Sequence, residues 1–314
     1  MREIVRAAAA AGLDFVILTD HDTNQAARDG LAGRHGGVLL VVGAEISPRA
    51  RGHCLALGDV DVTGFRWMPD EYYLRKLRRD GADVYIAHPE GRIKPTFGIN
   101  LKQWRVWESE HFDGIEIWSY MHDWIENLTP LNLPRLYLRP DLAIEGPDQR
   151  ILHLWDRLNL RRRVAGIGAL DAHAVTKFFG LFVAFKYEFL FRTILTHVLV
   201  DAWGLSPDED AAELARALRA GRSFAAYDWL APSEGFRFFT DRGVVGDRLA
   251  LAGPVDLEVV LPRPAEIVLV HNGRKGPVAA SSSARFPVGE GGVYRVEARL
   301  DGRPWIFSNP IFFA

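Results

Sequence analysis

Six residues of the types that hold divalent cations recur in one setting: His21, Glu45, His53, His88, Asp171 and His173. Five lie at or just past the end of a short apolar run. Residues 15–18 lead into Thr19-Asp20-His21-Asp22, and 38–42 into Gly43-Ala44-Glu45. Residues 83–87 lead into His88-Pro89, and 164–170 into Asp171-Ala172-His173. His53 instead follows Gly52 and opens a run, 54–57. Imidazole and carboxylate are the usual ligands of zinc, manganese and iron. Such ions lower the pKa of bound water to about 7 and so supply hydroxide near neutrality. A carboxylate can also bridge two ions. Each residue alone has a blander reading. A lone His after a strand is more often a hydrogen-bonded surface group, and Asp20-His21-Asp22 reads equally as a turn with a helix N-cap. Six such residues together, five of them in one kind of position, shift the balance to metal.

Bringing them together requires strands that end at one edge. Apolar runs separated by helical stretches indicate parallel strands buried on both faces. The expected helical connectors are 72–79, 100–111 and 147–158, with an Ala-rich helix over 3–11 that Gly12 stops. This is an α/β pattern that suits a barrel, whose working groups sit at the C-terminal ends of the strands. Residues 119–163, with prolines 130, 134, 140 and 147, predict a helical insert beside the site. A further helix over 207–220 closes with Gly221.

From about residue 235 the texture changes. Runs at 255–261, 266–271, 285–288, 293–300 and 305–311 are of β type. Asn272-Gly273 and Asp301-Gly302 are hairpin signals. The expectation is a small antiparallel β-sandwich over 233–314, after a barrel over 1–232.

The composition narrows the class. The 314 residues are 48% hydrophobic and 25% charged, enough for a full core. The net charge of −2, without a basic run, argues against nucleic acid. The lone Cys54 excludes an internal disulfide framework and cysteine-ligated zinc fingers. Lys186, Glu188, Arg192 and His197 interrupt the most apolar stretch, 178–200, so no membrane span is expected. The start has no signal-peptide design, and the expected location is cytoplasmic. The absence of a Gly-x-Ser-x-Gly elbow counts against a serine hydrolase.

In order and spacing, Thr19-Asp20-His21-Asp22-Thr23, Gly43-Ala44-Glu45, Gly52-His53, Ala87-His88-Pro89 and Asp171-Ala172-His173 resemble the later motifs of the PHP (polymerase and histidinol phosphatase) superfamily. Pro304-Trp305-Ile306-Phe307-Ser308-Asn309-Pro310-Ile311 resembles the end of its carbaryl- and carbofuran-hydrolase branch, as do Trp155-Asp156, Thr196-His197-Val198-Leu199 and Gly221-Arg222-Ser223. The resemblance covers nearly the whole chain. It implies a distorted (β/α)7 barrel with up to three divalent ions (Zn, Mn or Fe). Glu45, His53 and His88 would hold one ion, with Glu45 bridging to a second. Asp171 would serve the second, and His21 and His173 a third. Asp20 and His197 are the candidate catalytic residues, although His197 in its apolar stretch reads almost equally as a packed core histidine.

The pattern departs from the superfamily in one respect. The first-strand His-x-His of the superfamily has no counterpart, because the sequence opens on the helix that would follow that strand. Two functional readings follow. One is a hydrolase that cleaves a phosphoester, carbamate or carboxyl ester of a small-molecule substrate, with the missing ligands encoded upstream. The other is a weakened or inactive binding or regulatory relative. A third reading, in which the C-terminal module binds carbohydrate or protein, requires Trp305 to be exposed on a flat face.

Overall fold

The computed structural model describes residues 1–49, 51–173, 177–178, 182–183 and 185–314. Helix α1 (Arg2–Ala11) ends where Gly12 adopts a left-handed conformation and donates its N–H to Ala8 and Ala9 carbonyls. Strand β1 (Phe15–Leu18) follows, then β2 (Val38–Ile46), β3 (His53–Leu57), helix α2 (Asp70–Arg79), β4 (Asp83–Ala87) and β5 (Gly114–Ser119). Helices α3 (Tyr120–Glu126), α4 (Leu133–Leu138) and α5 (Gln149–Asn159) form the region after β5, and β6 (Ala165–Ala169) follows.

These six strands hydrogen-bond in chain order in one curled mixed sheet. β1–β2, β4–β5 and β5–β6 are parallel, whereas β3 is antiparallel to both β2 and β4. The all-parallel expectation therefore fails at β3. The link from β2 to β3 is only a short turn, and a parallel neighbour needs a long crossover. The reversal also explains why His53 sits at the beginning of its strand. The start of β3 lies beside the ends of β2 and β4, with His53 opposite Ala87 and Cys54 opposite Ile46. The helix expected over 100–111 is absent. A short hairpin of Arg92–Lys94 with Ile99–Leu101 precedes an irregular segment there.

A second, largely antiparallel sheet contains β7 (Ile194–Val198) and β8 (Ser223–Tyr227), with helix α6 (Pro207–Ala220) between them. α6 starts with a Ser206/Glu209 capping box and Pro207 in its first turn, and Gly221 ends it. The same sheet continues through β9 (Val255–His271), β10 (Arg274–Val288), β11 (Gly292–Leu300), β12 (Arg303–Ser308) and β13 (Ile311–Phe313). β8 pairs with β7 on one side and with β12 on the other, so one hydrogen-bonded sheet runs across residue 232. The separate runs 255–261 and 266–271 merge into β9, with a register shift between Val260 and Ala265.

Two buried polar contacts tie the sheets together. The Arg295 guanidinium grips Asp156 of α5 at 2.6 and 2.9 Å and Glu297 at 2.9 Å. Asn309 bonds both backbone groups of Gly166 and the carbonyl of Ser223. Trp305 is fully buried and donates its indole N–H to the Ala231 carbonyl, so it offers no flat binding face. Trp104, Trp118 and Trp124 are likewise core residues. Among the described residues no helix is long and apolar enough to cross a membrane.

Candidate metal centre

The expected metal ligands meet at one end of the curled sheet. Glu45 lies near the end of β2 and is buried. One of its oxygens, Oε1, takes His53 Nδ1 at 2.6 Å and His88 Nε2 at 3.1 Å, with His21 Nδ1 at 3.8 Å. His21 stands just beyond β1 in a single parallel bridge to Glu45, and Ser47 holds its Nδ1 at 2.5 Å. His173 Nε2 faces His21 Nε2 at 3.3 Å. His173 Nδ1 lies 3.0 Å from the Asp171 carbonyl. Asp20 is exposed at the rim, and its carbonyl accepts the Glu45 N–H.

Sequence reasoning missed His122. It had no partner pattern, yet it follows directly from the end of β5 on the first turn of α3. It is completely buried and stacks on His88 with centroids 4.2 Å apart and planes 6° apart. Its Nε2 faces Asp171 Oδ2 at 3.7 Å. The signal available in the sequence was its place after the fifth strand, equivalent to the places of His21 and His88. The ligand types fall into two compact groups. His21, Glu45 and His53 form one, and His88, His122 and Asp171 the other, with ligand atoms mutually within 4.8 Å in each. This division differs from the one the resemblance implies, which puts His88 with Glu45 and His53. Glu45 touches His88 as well, so it adjoins both groups.

The backbone and the electrostatics are both unusual here. His88 and Asp171, at strand ends that line the cavity, adopt positive φ of 28° and 50°, and Asp22, whose carboxylate accepts the Ser47 N–H at 2.9 Å, one of 53°. Burial raises the Glu45 carboxyl, but its bonds to His53 and His88 and their charges override this and hold it far below the usual carboxylate range. Burial lowers His88, yet the Glu45 bond and the charges of Asp171, Glu116 and Glu45 push it up to about 10. Glu116, buried at the cavity wall, is pushed up to about 8 by desolvation and accepts the His88 backbone N–H at 2.8 Å. Desolvation, with His88 and Arg92 as like charges, drives His122 well down, so its ring is neutral.

The donor set fits a divalent cation on its own terms. His88 Nδ1 and both ring nitrogens of His122 are buried with no hydrogen-bond partner among the described residues. Such orphaned groups are rare and call for an explanation. Imidazole nitrogens beside carboxylates are what zinc, manganese or iron would take.

The cluster opens into a cavity of about 960 Å³ lined by His21, Glu45, His88, Glu116, Asp171 and His173. Asp20, His197, Asp228 and Trp229 also face it, and Phe15, Ile17 and Ile167 form part of its apolar wall. β1 forms part of this wall and is paired on one side, with β2, among the described residues.

No family model matches the chain, and no curated protein does. Solved structures are similar to it, and two of them are the following. One is a two-domain protein containing a predicted PHP-like metal-dependent phosphoesterase from Bacteroides vulgatus. It is 15% identical, with 98% of this chain and 90% of that one covered and a TM-score of 0.44. The other is PsfC from Pseudomonas syringae, also 15% identical, with 74% and 84% covered and a TM-score of 0.46.

Proposed function

We propose that the chain is a metal-dependent hydrolase that cleaves an ester-type bond of a small molecule with metal-activated water. The observation that carries this reading is the convergence of Glu45, His53, His88, His122 and Asp171 in one cluster, of which Glu45, His88 and Asp171 line the cavity. His21, Glu45 and His53 would hold one ion, and His88, His122 and Asp171 another, with His173 beside His21. Bound ions would acidify water and polarise the scissile oxygen. The other steps fall to the chain's own side chains. Glu116 anchors the His88 backbone and so fixes the direction of that imidazole. Asp20, exposed at the rim, is placed to accept the proton of the attacking water. The apolar wall displaces bulk water from the substrate and strengthens every charge interaction inside.

The substrate is a phosphoester, a carbamate or a carboxyl ester. The purified protein, stripped with chelator and reloaded with Zn, Mn or Fe, is to be assayed on a panel of all three. Metal-dependent hydrolysis of one class supports the proposal. Metal binding without turnover on any class favours the binding or regulatory reading. Absence of metal binding ends both.

A further inference from the structure

His197 belongs to a polar cluster beside the same cavity, which His197 and Asp228 help to line. Its Nε2 lies 3.0 Å from Asp228 Oδ2 and 3.0 Å from Ser233 Oγ. The Ser233 hydroxyl in turn donates to Asp228 Oδ1 at 2.6 Å. Since that hydroxyl proton is committed to Asp228, Ser233 can only accept from the ring. The Nε2 proton is therefore shared between the carboxylate and the serine oxygen, and Nε2 stays protonated in both charge states. The ring lies flat on Phe224, with centroids 4.6 Å apart and planes 1° apart. Among the described residues its Nδ1 has no partner, and His197 lines the cavity. This is not a serine nucleophile with its base. Ser233 is fully buried and shares one ring nitrogen with the aspartate, whereas such a triad uses the two nitrogens separately.

The fold brings Asp228 to the metal end, while His197, between Thr196 and Val198, lies beside the middle of β6. Val198 pairs with Ser223, which Asn309 joins to Gly166, and Thr196 Oγ1 bonds both backbone groups of Gly168. β7 therefore runs opposite to β6. Its beginning lies towards the end of β6 that leads to Asp171 and His173. Asp228, whose N–H bonds the Thr193 carbonyl, sits at that same end.

We propose that His197 donates a proton from Nδ1 to the leaving group, and that Asp228 and Ser233 are positioning residues that fix the other ring proton on Nε2. As the scissile bond breaks, its electron pair goes to the leaving oxygen, which takes the Nδ1 proton. The ring is left neutral with its hydrogen on Nε2. Water adds its hydroxyl to the acyl or phosphoryl centre, its second proton passes to Asp20, and solvent reprotonates Nδ1.

This role rests on the hydrolase reading, and the test separates the two. Metal-loaded wild type, His197→Gln, Asp228→Asn and Ser233→Ala are compared on a nitrophenyl ester and an alkyl ester of the same acid, with metal content measured for each. A nitrophenolate leaves without an acid, but an alkoxide does not. His197→Gln should lose about 10²-fold to 10⁴-fold in kcat on the alkyl ester, with the nitrophenyl rate and metal content unchanged. Asp228→Asn should follow the same pattern more weakly. Equal losses on both esters overturn the proton-donor role and leave the hydrolase standing; a wild type inert on such pairs of phosphoester, carbamate and carboxyl ester alike overturns the hydrolase reading. A second readout needs no turnover. Long-range ¹H–¹⁵N spectra of the metal-free protein, with His197 assigned by its loss in His197→Gln, should show the Nε2–H tautomer. Asp228→Asn should mix the tautomers. A wild-type Nδ1–H tautomer overturns the positioning role whatever the activity.

Discussion

Replacing Glu45 by Gln keeps the shape of the side chain and removes its charge. One oxygen of this carboxylate touches His53 at 2.6 Å and His88 at 3.1 Å, so a cation seated among these groups would be about as close. At about 3 Å and an effective dielectric near 20, one full charge is worth roughly 5.5 kcal/mol against a unit cation and about twice that against a divalent one. If relaxation and water cancelled three quarters of the divalent figure, about 2.7 kcal/mol would remain, a loss of about 100-fold in affinity. Competition titration against a chromophoric chelator measures the affinity, elemental analysis the stoichiometry, and thermal unfolding of the metal-free protein shows whether the variant still folds. A folded Glu45→Gln protein with wild-type affinity and metal content would refute the assignment of Glu45 as the shared anchor.

His122→Ala should reduce metal stoichiometry by emptying the His88/Asp171 group while the ion beside Glu45 and His53 stays, as elemental analysis would show. Metal uptake near pH 8 should release at least one proton, because His88 is pushed up to about 10 in the metal-free protein and must be neutral to bind; calorimetry in buffers of different ionisation heat measures it. The metal-free protein should also lose stability as pH rises. The folded-state pKa of His88 stands above its unfolded value of 6.5, so its contribution is complete below that value and lost as pH passes about 10. Glu116, raised from 4.5 to about 8, acts in the same direction, so denaturant midpoints should fall between pH 6.5 and 10. Arg295→Ala should cost about 3–5 kcal/mol, because Asp156 would be left buried without its partner and Glu297 would keep only Lys275; urea unfolding measures it.

The strands that carry ligands were readable because each is a short apolar run ended by a polar cluster. β1 and β4 fall where the runs at 15–18 and 83–87 predict, and α6 spans 207–220 and ends at Gly221 as expected. Three features were not readable. The reversal of β3 depends on a turn whose length fits either direction until its neighbours are known. Residues 100–111 carry Trp104 and Trp107 at helix-like spacing, but Trp104 is used to plug the core against Gly52, which leaves no room for a Cβ (2.9 Å to that ring). His122 was passed over because its partners, His88 and Asp171, are 34 and 49 positions away, and no local pattern signals a stacked pair. The cluster around His197 was half visible. The histidine stood out, but its partners Asp228 and Ser233 come from the loop beyond β8 and declare themselves only in three dimensions.

β8 is flanked by β7, which carries His197, and by β12, which belongs to the C-terminal strands. Its amides are thus locked from both sides, and fraying cannot begin at β12 without exposing the strand behind the cavity wall. Amide exchange along 303–308 should therefore register events at the mouth of the cavity. Ligands that tighten the mouth should slow exchange there, although no residue of that strand lines the cavity.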